Sequence, residues 1–426
     1  MRARPTLLSA LAFGATVSAL AGACQTYDFE EVDPLLLAQT TIEETVHARN
    51  RKPNIMLLVD TSASMMLPVN EADTDCRTTY QNQQITCGSV ADVSAACNPQ
   101  VCPTRWTELQ AAVPKFLADT GPHVRFALTT YPETRGETGL NAFCRAASTE
   151  SASVRQGMPT ADDDASLLAH ANKINDILQG IPNSGVGQPV GGTPTSQSLT
   201  FVGNLAALQD TDREQFVVLL TDGLPNCNEN NIYSGEDAQC RCTTANCAPN
   251  QTGRRGCLDL DASAAAVKAL ADKKIKTIVI GFGAETAAGN GPLVLDAMAR
   301  AGGFARTCEA GQTSCGPNDP CNPDTRLCQR GFYQAANQEE LADALEKISK
   351  AVLPGEPCLI KLDPSQRPSD PSLVVVYIDG ERTTAGNGTW NVVEEGVLFN
   401  GAMCDRILAS TPDNPVDIEV RAIRQR

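Results

Sequence analysis

The chain has 426 residues, 42% of them hydrophobic, enough for a large core and for more than one domain. Its 50 acidic against 34 basic residues leave a formal charge of −16, and no Lys/Arg cluster interrupts them, so nucleic-acid binding has no electrostatic support. Beyond the N-terminal stretch no apolar run approaches ~18 residues, which argues against a transmembrane helix.

The N-terminus carries Arg2 and Arg4, a small-residue and leucine stretch from Thr6 to Leu20, and then Ala21-Gly22-Ala23-Cys24. This pattern is that of an export signal over residues 1–23, with a cut after Ala23. A cysteine directly after the cut also resembles a bacterial lipoprotein processing site, although Leu20 lies one position further upstream than is usual there. The 17 cysteines are an odd number for an exported chain. Setting Cys24 aside as a lipid anchor leaves a set that can pair completely, and a free or intermolecular Cys24 would explain the same parity. Either way the cysteine content points to an oxidising compartment, the cell envelope or the outside.

Residues 24–52 read as a polar tether ending in a short strand near Ile42 to Ala48. From 53 to 353 a βα rhythm follows. Strands are expected over Ile55 to Val59, Val124 to Thr130, Phe216 to Leu220, Lys276 to Gly281 and Gly331 to Gln334. Helices are expected near Thr107 to Ala118, Ser166 to Leu178, after Thr193, and over Ala262 to Asp272, Leu293 to Ala301 and Gln338 to Leu353. Such alternation predicts a doubly wound α/β domain, a mostly parallel sheet with helices on both faces.

Three cysteine-rich insertions interrupt it. The first, 67–105, holds Cys76, Cys87, Cys97 and Cys102. The second, 226–258, holds Cys227, Cys240, Cys242, Cys247 and Cys257, and Cys144 is placed to complete its odd set. Both leave the carboxyl ends of strands, where ligands bind in open α/β sheets. The third, 308–328, holds Cys308, Cys315, Cys321 and Cys328, joins a helix to a strand and belongs on the opposite edge. Disulfides are favoured over zinc because no paired C-x-x-C arrangement occurs and His47, His123 and His170 are the only histidines. Connectivity stays open at this level. Asp319, Asp324 and Asp162-Asp163-Asp164 are read as solvated loop or helix-start charges rather than calcium ligands. From 354 to 426 proline-rich segments alternate with β-rich runs around an Asp379-Gly380 turn, predicting a small β domain stapled by Cys358 and Cys404. The strand near Ile42 to Ala48 is a candidate to join it.

The chemistry concentrates in three motifs: Asp60-Thr61-Ser62-Ala63-Ser64, Gly191-Gly192-Thr193-Pro194-Thr195 and Thr221-Asp222-Gly223. The first and third each end an apolar strand. In an extended segment Asp60, Ser62 and Ser64 project to one side, Thr193 can add a fourth oxygen with Thr195 as the alternative, and Asp222 can bind directly or hold a water. An all-oxygen set of this size suits Mg²⁺, with Mn²⁺ or Ca²⁺ as alternatives. If hydroxyls outnumber carboxylates in direct contact, the cation stays under-neutralised and can accept a carboxylate from outside.

In order and spacing these motifs resemble the von Willebrand factor A (vWA) domain and its metal-ion-dependent adhesion site. What the resemblance implies, over about Pro53 to Val352, is a Rossmann-like fold in which Asp60, Ser62, Ser64, Thr193 and Asp222 hold the ion and an acidic side chain of a protein partner completes the coordination. A surface-anchored adhesion module is therefore expected. Its rival is a disulfide-rich envelope protein whose metal only stabilises the fold. An enzyme is not expected: no histidine lies near the motifs and no G-x-S-x-G elbow occurs.

Overall fold

The computed structural model describes residues 41–48, 52–133, 138–211, 213–283, 286–308, 311–316, 318–352, 358–362, 370–386, 388–394, 396–408 and 416–425. The export signal and Cys24 lie outside the described residues. Chain contacts divide the protein into two units, one from the described parts of Met1–Ala48, Cys358–Asp405 and Asp417–Arg426, the other from those of Arg49–Pro357 and Arg406–Val416.

After a first strand, β1 (Thr41–Ala48), the larger unit contributes β2 (Asn54–Asp60), β3 (Arg125–Tyr131), β4 (Val154–Gln156), β5 (Gln215–Thr221), β6 (Ile275–Phe282) and β7 (Tyr333–Ala335). They form one six-stranded sheet in the order β7-β6-β5-β2-β3-β4, parallel except for β4 at the edge. Chain order reverses at β2, which pairs with β3 on one side and β5 on the other. Its register sets Asp60 beside Tyr131 of β3, and Val59 beside Leu220 of β5. The carboxyl ends of β2 and β5 thus adjoin at the switch point of a doubly wound sheet, where such folds form a crevice.

Six helices cover the faces: α1 (Arg105–Thr120), α2 (Asp164–Gln179), α3 (Thr195–Val202), α4 (Leu260–Asp272), α5 (Gly291–Ala301) and α6 (Gln338–Val352). Every residue of β2 is buried, as a parallel strand covered on both sides requires. Ile55, Leu57 and Val59 meet Trp106 and Leu109 of α1, Ile174 of α2 and Leu345 of α6 in one apolar layer. Met56 and Leu58 alternate to the other face with Leu199 of α3, Val267 of α4 and Met298 of α5.

The sixteen described cysteines form eight disulfides. Cys76–Cys102 and Cys87–Cys97 close the first insertion, and Cys240–Cys257 and Cys242–Cys247 the second, which Cys144–Cys227 ties to the connection after β3. Cys308–Cys321 and Cys315–Cys328 close the third. Two expectations need correction. Arg105 is not part of the first insertion but the first residue of α1, which Thr104 opens by accepting from the Thr107 amide while the Thr107 hydroxyl accepts from its own. Asp162 and Asp319 are not solvated: Asp162 is ion-paired with Arg125 and Arg213, and Asp319 with Arg306. Asp163 does start α2, accepting from the Ser166 amide at 2.9 Å.

In the smaller unit β1 pairs along its whole length with β13 (Ile418–Gln425), from Thr41 opposite Gln425 to Ala48 opposite Ile418. The intervening strands are β8 (Leu359–Lys361), β9 (Val374–Ile378), β10 (Glu381–Thr383), β11 (Trp390–Val393) and β12 (Gly396–Phe399). One antiparallel sheet runs β1-β13-β9-β10 and a second β8-β12-β11. Asp379 and Gly380, both at positive φ, form the β9–β10 hairpin turn. Cys358 is bonded to Cys404. Cys404 lies on a helix, α7 (Gly401–Leu408), so the C-terminal segment is not purely β. Among the described residues no helix is long and apolar enough to cross a membrane.

Candidate functional site

At the switch point the chain leaves β2 at Asp60 and turns into a short 3₁₀ segment, Ala63–Met66. The Ser62 amide donates to Asp60 Oδ1 at 2.8 Å, and Ser62 Oγ lies 3.0 Å from Ser64 Oγ. Ser64 Oγ donates to Asp222 Oδ1 at 3.0 Å, and the Thr221 hydroxyl to Asp60 Oδ2 at 2.7 Å. Two acidic residues 162 positions apart in the chain are thereby joined through the Ser62 amide and the Ser62 and Ser64 hydroxyls.

The Gly191–Thr195 loop is laced to the same turn. The Ala63 amide donates to Gly191 O at 3.0 Å and the Val190 amide to Thr61 O at 2.9 Å. Asn226, from the second insertion, accepts from the Thr193 amide at 2.8 Å, while its own amide donates to Thr193 O at 2.9 Å. Gly223 measures the convergence of the three motifs. A Cβ placed there would lie 3.2 Å from Ser64 Oγ and 3.5 Å from Thr193 Oγ1. The Thr195 hydroxyl instead donates to Thr193 O. The structure therefore brings Asp60, Ser62, Ser64, Thr193 and Asp222 together. All are buried but Ser64, which is part-exposed.

Burial sets the electrostatics. Removal from water, then the neighbouring charge of Asp222, pushes the Asp60 carboxyl up to about 7. Asp222 is also raised by burial, against which the Arg105 guanidinium and the Ser64 hydroxyl act. Tyr131, buried beside Asp60, has its phenol held well above the usual range by burial and then by that carboxylate. Two adjoining buried carboxylates, hydroxyl neighbours and no sulfur or imidazole donor form a set suited to a hard divalent cation, whose charge would relieve the crowding of negative charge.

One participant carries no sequence signal, and a second shows only part of its role there. Arg105, wholly buried, donates from Nη1 to Asp222 Oδ2 at 2.7 Å and from Nη2 to Glu71 Oε1 at 2.5 Å. Its position at a helix start after a cysteine-rich loop resembles any surface arginine in sequence. Only the approach of the start of α1 to the residue after β5 reveals it. Thr221 is visible as part of the third motif, but its bond to Asp60 is not.

The second insertion walls one side. Asp259 receives Ser196 Oγ and Asn228 Nδ2, and burial raises its carboxyl. Ser196 follows Thr195 directly, so this contact binds the insertion's base to the start of α3.

No protein-family description and no curated protein matches the chain. Among solved structures it is similar to the pilus adhesin SpaC of Lactobacillus rhamnosus GG, with 14% identity, a TM-score of 0.38, 90% of this chain and 41% of that one covered. This chain thus spans about two-fifths of the SpaC chain. It is similar to the PilB minor pilin of Streptococcus sanguinis, with 18% identity, a TM-score of 0.39 and 71% and 61% covered. It is also similar to a manganese-loaded Plasmodium vivax TRAP protein, with 15% identity, a TM-score of 0.33 and 72% and 77% covered.

Proposed function

We propose that the larger unit is a metal-dependent protein-binding module of the vWA type, adhesive rather than catalytic, exported and held at the cell envelope. The observation that carries this reading is the meeting of Asp60, Ser62, Ser64, Thr193 and Asp222 at the adjoining ends of β2 and β5. These oxygens would hold Mg²⁺, or Mn²⁺ or Ca²⁺ in its place. Its chemistry, when bound, is to attract an acidic side chain of a partner. The protein's own residues do the rest: Asp60 supplies the direct charge, the two serines and Thr193 supply neutral oxygens, and the insertions decide which surfaces can approach. Asn226 fixes the threonine and Thr221 orients Asp60.

Eight disulfides fit an exported protein. Lipidation at Cys24 completes the reading, and mass spectrometry of the mature N-terminus checks it: a diacylglyceryl-modified Cys24 is expected.

The function is tested by capture from envelope extract with wild type and Asp60→Ala, each in Mg²⁺ and in EDTA. Partner capture that requires Mg²⁺ and is lost in a folded Asp60→Ala protein is expected. Binding that survives both EDTA and the substitution overturns adhesion through the ion and leaves the alternative of a disulfide-rich envelope protein in which any cation only stabilises the fold.

A further inference from the structure

Arg105 is built into the site more firmly than a surface ion pair requires. Its side chain has no solvent exposure, nor has that of Asp222, and its Nη1 lies 2.7 Å from Asp222 Oδ2. Its backbone is fixed at the start of α1, where its amide donates to Leu67 O at 3.0 Å. The end of β6 leaves room for it. Gly283, at φ +93°, would place a Cβ 2.9 Å from Arg105 Nε and 3.2 Å from its Cδ, so no other residue fits there without displacing the arginine. On the far side Nη2 meets Glu71, a part-exposed residue of the first insertion.

Both oxygens of Asp222 are consequently engaged, Oδ2 by the guanidinium and Oδ1 by Ser64 Oγ. Asp60 differs, its oxygens receiving one amide and one neutral hydroxyl. A carboxylate occupied by a cationic donor is a poor direct ligand, because binding a metal requires breaking a charge-assisted bond in a low-dielectric setting. We propose that Arg105 is a positioning residue that reserves Asp222 as an indirect ligand. An ion held here would then meet one freely available carboxylate, that of Asp60, which would weaken its retention and preserve its attraction for a partner's acid. Glu71, by sharing the guanidinium, links the first cysteine-rich insertion to the strength of that reservation. This inference rests on the metal-dependent reading above.

The chemistry gives opposite signs for two substitutions. In Arg105→Gln the neutral amide no longer competes with a cation for Asp222, so two carboxylates become available and the preference moves toward Ca²⁺, which accepts more carboxylate oxygen than Mg²⁺. In Glu71→Gln the guanidinium loses a competing anion and holds Asp222 more tightly.

The test is titration of the full-length protein with Mn²⁺, followed by electron paramagnetic resonance of the free ion, with Ca²⁺ and Mg²⁺ as competitors. Melting with and without metal is run in parallel. Expected are a Mn²⁺ affinity about tenfold higher in Arg105→Gln, with a larger melting-temperature gain on metal addition than wild type shows, and a several-fold lower affinity in Glu71→Gln. Arg105→Lys, which keeps the charge, should remain near wild type. A folded Arg105→Gln protein with unchanged or weaker affinity overturns the proposal. If that variant does not fold, an affinity in Glu71→Gln equal to or above wild type overturns it. Wild type tests the parent reading separately. Failure of wild type to bind Mn²⁺ sinks that reading, whereas wild-type binding that Arg105→Gln does not strengthen overturns only the reservation of Asp222.

Discussion

Asp60 is the residue on which the site's behaviour turns. Its carboxyl is raised from an ordinary value of 3.8 to about 7, first by burial and then by Asp222. A carboxyl raised in the folded state contributes stability that is fully present below about 3.8 and is lost as pH rises through about 7. In EDTA, wild type should therefore lose melting temperature relative to Asp60→Asn as pH is raised from about 5 to about 8.5, since the amide does not ionise. Added Mg²⁺ should reverse that loss in wild type and leave Asp60→Asn unmoved. A melting-temperature difference that does not change with pH in the metal-free proteins contradicts this. Gly223 gives a second residue-scale expectation. It has no positive φ, so its constraint is space alone. Gly223→Ala should press on the Ser64 and Thr193 hydroxyls and weaken Mn²⁺ binding several-fold with little change in melting temperature, as titration and calorimetry would register.

Among the elements, the loops after β2 and β5 matter most, and disulfides fix them. Cys144–Cys227 spans 83 positions and ties the connection after β3 to the second insertion beside Asn226. By chain entropy such a closure contributes about 4.5 kcal/mol, and more usefully it limits movement of the loop that carries Thr193. Replacing both cysteines by alanine should lower the melting temperature and also weaken Mn²⁺ affinity. An affinity unchanged in a folded variant would assign the positioning of Thr193 to the Asn226 hydrogen bonds alone. Most elements were legible in the sequence, because strands buried on both faces give unbroken apolar runs such as Phe216 to Leu220, and helices such as α6 show a regular apolar stripe. The short ones were not. Val154–Gln156 offers three residues, too few to show a period, and α7 offers eight, within the length of a strand.

At the scale of the molecule, segments far apart in the chain meet. The strand before the larger unit pairs with the last described strand through eight register positions, closing an edge that β13 would otherwise expose. Deleting residues 1–48 should leave β13 with only β9 as a neighbour and make the C-terminal segment more sensitive to protease than in the full chain, as time-resolved digestion and mass spectrometry would record. Digestion at an unchanged rate would mean that β1 contributes nothing to holding β13.

The doubly wound class and the five oxygen-bearing residues were readable along the chain, since strand-end position and local spacing are short-range properties that one chain displays directly. So was the preference of the cysteines for one another over zinc. Which strands adjoin, how the sixteen described cysteines pair and that Arg105 occupies Asp222 emerge only when the chain folds. These depend on distances between residues far apart in the chain. Arginine 105 and Asp222 are separated by 117 positions, and nothing in either neighbourhood encodes a contact that only the packing of α1 against the ends of β5 and β6 creates.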